Sequence, residues 1–124
     1  MPGVIIRGGP SINPNIVIFQ KPGVWEDAYL FNNGIFSNLV PFVIMNSGSI
    51  RRITARCSQN VSGAVIVTLR KNGASLVSLI IDPGTNYKSL TANLGDYLVA
   101  LDDELSCDIS GGQVMNLTVQ VNLI

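Results

Sequence analysis

The stretch Met115-Asn116-Leu117-Thr118-Val119-Gln120-Val121-Asn122-Leu123 decides the fold. Apolar and polar side chains alternate along it without exception. Successive side chains of a β-strand point to opposite faces, so a period of two predicts a strand with one apolar and one polar face. We therefore expect a half-buried antiparallel strand here, packed on a core through one face only.

Upstream of this strand, short apolar runs are separated by turn residues. Ile53, Ala55 and Cys57 alternate with polar residues that include Arg52 and Arg56, which predicts a second half-buried strand with a basic outer face. Since buried free cysteines behave as small hydrophobes, Cys57 fits this core face, although the sequence leaves a disulfide with the other cysteine open.

Two apolar runs, residues 64–70 and 76–81, are joined through Lys71-Asn72-Gly73-Ala74. Asn-Gly between apolar runs predicts a β-hairpin, because both residues accept the positive φ angles of a tight turn. In all, residues 49–124 contain six or seven such strands at a spacing of about 8–12 residues, with no helical periodicity between them. The sequence therefore predicts an all-β fold, an antiparallel β-sandwich (jelly-roll-like) over residues 48–124 with an extended N-terminal arm.

Residues 1–47 are predicted to form this arm and some edge strands. The reason is that proline and glycine recur along the first part of the chain, and proline cannot donate a hydrogen bond to a strand ladder. A firmer strand is expected near residues 39–45. Six of the eight aromatic residues lie in this segment. Either these rings pack on the chain's own sandwich, or they dock on a neighbouring subunit, since aromatic side chains are enriched at interfaces. The candidate interface rings are Phe19, Trp25, Tyr29, Phe31 and Phe36.

The formal net charge of zero hides two opposed halves. Residues 1–71 carry seven basic and two acidic side chains, whereas residues 72–124 carry one basic and six acidic ones. One explanation pairs strands of the two halves within a sheet, so that opposite charges lie side by side. The other brings a basic face containing Arg52 and Arg56 against the acidic loops of a second copy, which adds both arginines to the candidate interface.

Composition excludes several classes of function. The chain has no histidine, which removes imidazole metal ligands and His-dependent nucleophile pairs, and no phosphate-binding or nucleophile motif is present. The acidic run Asp102-Asp103-Glu104 leaves a cation site open, although it lacks the ligand spacing of an EF-hand. We expect no enzyme activity, no cofactor and no metal. Neither clustered basic residues for nucleic acid nor an apolar run of ~18 residues for a membrane is present.

Three pieces of sequence follow one another in a recognisable order and spacing: Gly48-Ser49-Ile50-Arg51-Arg52-Ile53-Thr54-Ala55, Val67-Thr68-Leu69-Arg70-Lys71-Asn72-Gly73 and Leu94-Gly95-Asp96-Tyr97-Leu98-Val99. Through these pieces, the stretch from Gly48 to Ile124 resembles a β-sandwich or jelly-roll module of structural proteins from tailed bacteriophages. The resemblance implies a virion protein of capsid decoration, head-fibre or tail-fibre type, commonly a homotrimer, that assembles in the host cytoplasm.

On this basis we expect a capsid decoration or cement protein whose N-terminal arm clamps the major capsid protein, for example by adding a strand to an exposed sheet edge. One alternative is a tail, neck or receptor-binding component of the virion. A second alternative is a small carbohydrate-binding module or lectin, which would place aromatic side chains such as Trp25 on exposed loops. No segment with a signal-peptide pattern is visible, which agrees with assembly inside the host cell.

Overall fold

The computed structural model describes residues 16–124. Expectations that fall on residues 1–15, including the first part of the arm, lie outside the described residues. The described part of the chain forms the following strands: β1 (Ile16–Trp25), β2 (Ala28–Tyr29), β3 (Phe31–Asn32), β4 (Ile35–Phe36), β5 (Phe42–Val43), β6 (Gly48–Arg56), β7 (Gln59–Ser62), β8 (Val65–Lys71), β9 (Ala74–Ile81), β10 (Tyr87–Thr91), β11 (Leu98–Val99), β12 (Glu104–Ser110) and β13 (Gln113–Leu123).

The strands form two antiparallel sheets that pack face to face. The larger sheet has the order β10-β6-β13-β1-β3-β4, with β11 paired to β6 and β7 paired to β13. The smaller sheet has the order β2-β12-β8-β9, with β5 paired to β12. Apolar side chains of both inner faces form one buried core. The prediction of an all-β antiparallel sandwich is confirmed.

Strand β13 lies between β1 and β6 in the larger sheet, as its alternating sequence predicts. Leu117, Val119 and Val121 are buried in the core. The alternation changes phase near the start of the strand, where Val114 is buried and Met115 is only partly buried. Asn116 causes this change, because it has a φ of 54° and a left-handed residue within a strand shifts the side chains before it to the opposite face.

Residues 16–47 contribute strands to both sheets rather than lying outside them, and only Phe42–Val43 of the expected strand near residues 39–45 is extended. Strand β1 pairs with β13 over most of its length, and its register shifts between Lys21 and Val24. The intervening Pro22 and Gly23 form this irregularity, with Gly23 at a φ of 85°. A bulge explains how a strand inside the sheet tolerates a proline that cannot donate to the ladder.

The predicted hairpin and the buried cysteine side chains are also present. The pairing of β8 with β9 runs from Val65 opposite Ile81 to Lys71 opposite Ala74, and in the turn between them Asn72 and Gly73 have φ angles of 53° and 84°. Positive φ at both turn residues matches the right-handed twist of the two strands. Cys57, directly after β6, and Cys107 in β12 are free and buried, so the interpretation of both as small hydrophobic residues is confirmed and they form no disulfide.

Candidate interaction surfaces

Lys21 is enclosed by three aromatic side chains, an arrangement that we call the lysine cage. Its side chain is 1% exposed, and Nζ lies 3.3 Å from the ring centroid of Trp25 and 4.3 Å from those of Phe31 and Phe36. Among the described residues this ammonium group has no hydrogen-bond partner. Cation–π contacts with the electron-rich ring faces therefore stabilise its positive charge.

The chain assembles the lysine cage from local strand geometry. The alternation that buries Val17 and Phe19 also directs Lys21 inward along β1. Phe31 and Phe36 are cross-strand partners on β3 and β4, and their ring centroids lie 4.7 Å apart. Burial lowers the pKa of Lys21, because an apolar site disfavours the charged form.

Three of the five candidate interface rings thus contact a lysine of their own protomer. Phe19 is fully buried in the core and presents no surface, while Tyr29 is half-buried on β2 opposite Asp108 of β12. Sequence reasoning missed Lys21. The signal was available, because this lysine occupies the core phase of the alternation that begins at Val17.

Arg52 and Arg56, the remaining candidates, lie on the outer face of the larger sheet. We call the outward side chains of residues 52–56, 87–91 and 118–122 the polar sheet face. The Arg52 guanidinium donates to Thr91 Oγ1 at 3.1 Å, Ser89 Oγ at 3.2 Å and the Tyr87 hydroxyl at 3.4 Å. The Arg56 guanidinium lies 4.7 Å from the Tyr87 ring centroid. Hydrogen bonds with Ser89 and Arg52 lower the pKa of Tyr87.

A hollow of about 470 Å³ opens beside Arg56 on this face. We call it the polar hollow. Its polar lining side chains come from β6, β13 and the turn after β6: Thr54, Arg56, Ser58, Asn116, Thr118 and Gln120. Asn116 is held in place, because it accepts a hydrogen bond from the Gly23 backbone and donates to the Ser58 hydroxyl.

A different surface lies at one end of the sandwich, where β11 pairs with the start of β6. Leu94, Leu98 and Ile124 are 71%, 60% and 61% exposed and line a concavity of about 530 Å³. Met45 and Leu101, 69% and 59% exposed, lie on the neighbouring loops. We call these five side chains the apolar loop end. Several large apolar side chains exposed around one concavity typically mark an interaction site.

The acidic run beside the apolar loop end serves as a turn. The Asp103 carboxylate accepts hydrogen bonds from Asn72 Nδ2 at 2.9 Å and the Ala100 backbone N–H at 2.8 Å, and these bonds lower its pKa. Asp102 has a φ of 71°, as a residue in a tight turn does. Within residues 16–124 no group of three or more carboxylate or thiol side chains is placed to hold a metal ion.

The opposed charges of the two halves meet at one point within a sheet. Arg70 of β8 and Asp108 of β12 form an ion pair with Nε and Oδ1 2.9 Å apart, which joins the basic and acidic halves within the smaller sheet. It is the only ion pair of the described residues, so Arg52 and Arg56 have no acidic partner among them. Residues 16–124 also contain no helix that is long and apolar enough to cross a membrane.

No family model and no curated protein matches the sequence. Among solved structures, the chain is similar to part of a GH26-CBM35 β-(1,4)-mannanase from Podospora anserina, with a TM-score of 0.49, 10% identity and coverage of 90% of this chain. The chain spans only 28% of that mannanase. It is also similar to the Eiger TNF of S. frugiperda, with a TM-score of 0.47 and 10% identity over 89% of this chain and 94% of the other. At this level of similarity, neither protein's activity nor its partners transfer to this chain.

Proposed function

We propose that this chain is a non-catalytic structural subunit of a bacteriophage virion, of the capsid decoration type, which associates with copies of itself as a trimer. The apolar loop end carries the proposal. Leu94, Leu98 and Ile124 expose large apolar surfaces around one concavity, and covering them with a second subunit removes this surface from water. The low share of charged residues, 13%, also fits a surface that is partly covered in an assembly.

The pieces of sequence that resemble phage structural modules support the same function. Residues 48–55 lie in β6, residues 67–73 form most of β8 and its turn, and residues 94–99 lead into β11. The first and the last of these pieces meet at the apolar loop end, where Leu98 pairs with Ser49. The contact that we propose for assembly therefore lies within the region of the resemblance.

The lysine cage changes which part of the chain we propose as the contact. Trp25, Phe31 and Phe36 have a partner within the protomer, so the proposal places self-association at the apolar loop end rather than on these rings. Their ring faces interact with an ammonium group that has no other partner among the described residues.

Sedimentation velocity of the purified chain tests self-association. We expect a species of about 40 kDa, three times the 13.3 kDa chain, that Leu98→Asp converts to monomer. Leu39→Asp is the matched control, because Leu39 is 69% exposed but lies outside the apolar loop end. A monomeric wild type, or a Leu98→Asp variant that stays assembled, would contradict the proposal.

Density-gradient sedimentation of phage particles from an infected host tests the location. We expect the chain to migrate with intact particles in hundreds of copies per particle. A few to a dozen copies would instead indicate a neck or tail component and overturn the decoration role. Absence from the particles would overturn the virion role itself.

A further inference from the structure

The polar hollow and the polar sheet face have the composition of a surface that binds a hydroxyl-rich ligand. Thr54, Thr118 and Gln120 present hydroxyl and amide groups from adjacent strands of the larger sheet. Strand geometry spaces such groups about 4.8 Å apart across strands and about 6.8 Å apart along them. Hydroxyl and amide groups both donate and accept, so this grid matches the hydroxyl groups of a sugar.

The charge of this face specifies the ligand further. Arg52 and Arg56 place two guanidinium groups on it, and no carboxylate of the described residues pairs with either one. The Arg56 guanidinium group makes no hydrogen bond to another residue in the described part of the chain, so its N–H donors remain available beside the hollow. A guanidinium group matches a carboxylate in charge and in geometry, since both are planar and form two parallel hydrogen bonds.

Arg56 is also held in position before any ligand arrives. Arg52 is fixed by hydrogen bonds to Thr91 and Ser89 and contacts the Tyr87 hydroxyl, while the ring of Tyr87 lies against Arg56. This series of contacts reduces the rotational freedom that Arg56 would lose on binding. Preorganisation of this kind increases affinity without adding a contact.

We propose that the polar hollow binds an acidic oligosaccharide, with Arg56 pairing to a sugar carboxylate and Thr54, Thr118 and Gln120 bonding to sugar hydroxyl groups. This binding goes beyond the structural role proposed above and uses a different surface. A second copy of the chain is a weaker candidate for the occupant. The centres of protein interfaces are rich in large apolar and aromatic side chains, whereas six of the seven residues that line this hollow are of polar type and none is aromatic.

Isothermal titration calorimetry on the purified chain tests the proposal with two acidic probes, trigalacturonic acid and 3′-sialyllactose. Galactotriose and lactose are their neutral counterparts. We expect at least one acidic probe to bind about tenfold or more tightly than its neutral counterpart, because a hydrogen bond to a charged group is worth about that factor. If neither probe binds more tightly than its neutral counterpart, the proposal is wrong.

Variants locate the site. Arg56→Gln should weaken binding of the acidic probe about tenfold, and Tyr87→Leu, which removes the ring that positions Arg56, should weaken it several-fold. Lys88→Gln is the matched control, because it also removes one positive charge. Lys88 of β10 pairs with Ala55, which faces the core, so it does not belong to the polar sheet face. This variant should bind the acidic probe as the wild type does. Equal binding by Arg56→Gln and the wild type would overturn the assignment.

Sedimentation velocity of the same variants distinguishes this proposal from self-association. If Arg56→Gln dissociates the assembly and the acidic probes do not bind, a second copy occupies this face and the carbohydrate proposal is wrong. If the probes bind and the wild type sediments as a monomer, the structural role fails while the carbohydrate site stands. Each proposal is thus refuted by a different measurement.

Discussion

The strongest prediction concerns the energetic coupling between Lys21 and Trp25. The lysine is 1% exposed and its ammonium lies 3.3 Å from the Trp25 ring centroid, so the cation has lost its water and faces the ring directly. A desolvated cation–π contact of this kind is worth about 2 kcal/mol. Trp25→Leu should therefore destabilise the protein by about 3 kcal/mol, of which about 2 is the lost contact and about 1 the lost apolar burial of a ring that is 40% exposed.

The same substitution should cost much less when the charge is absent. Lys21→Met keeps the length of the side chain. It removes both the cost of burying the ammonium group and the attraction of this group to the rings, and these effects oppose each other. We therefore expect the free energy of unfolding to change by no more than about 1 kcal/mol. In that background Trp25→Leu should cost only about 1 kcal/mol. The double-mutant cycle should thus give a coupling energy of about 2 kcal/mol.

Urea unfolding of the four proteins, followed by circular dichroism because Trp25 is the single tryptophan of the chain, measures this coupling. The matched control pairs Lys21→Met with Phe42→Leu, because Phe42 is a half-buried ring on β5 outside the lysine cage, and these two changes should be additive. Additivity within about 0.5 kcal/mol for Lys21 and Trp25 would refute the reasoning, since the ring would then not stabilise the charge.

Two further predictions follow from burial. Because the pKa of Lys21 is lowered in the folded state, the unfolded chain binds more protons below pH 10.5, so the stability of the wild type relative to Lys21→Met should rise as the pH is raised toward that value. Burial raises the pKa of the Cys107 thiol, so this group lowers the free energy of unfolding above pH 9.0, but it does so equally in the wild type and in Lys21→Met. The difference in free energy of unfolding between the two proteins therefore reports on Lys21 alone. If urea unfolding shows that this difference does not change with pH, the prediction is wrong. Cys57 and Cys107 are both buried and free, so they should react with a thiol reagent only at the rate of unfolding and fully in denaturant. Rapid labelling of the folded protein would show that one of the thiols is accessible.

Local sequence patterns were sufficient to predict the fold class. The alternation in β13 and β6 and the Asn72-Gly73 turn each follow from interactions between residues close in the chain, and the structure has all three. The alternation did not show where its phase changes. That change depends on the left-handed backbone of Asn116, whose side chain is bonded to Gly23 on another strand.

The candidate site was predictable only in part. The sequence indicated that Arg52 and Arg56 share an exposed face, but it did not indicate that Tyr87, 35 residues from Arg52, lies between them. It also indicated that the aromatic side chains of the first segment need a partner, without identifying Lys21. Such contacts depend on which strands become neighbours in the sheet, and pairing between distant strands is decided by the packing of the whole core.

The sequence by itself therefore determined that this chain forms β-strands with one apolar face, since that property is set by side-chain alternation along the backbone. Only the tertiary structure decided what those faces contact. It enclosed Lys21 among three rings, placed Arg56 beside a polar hollow and left the apolar loop end exposed. The physical reason is that the polar hollow and the apolar loop end are each assembled from strands and loops distant in sequence, which the order of strands in the sheet brings together. The lysine cage is closer in sequence, but it still requires β1 to pair with β3 and β3 to pair with β4.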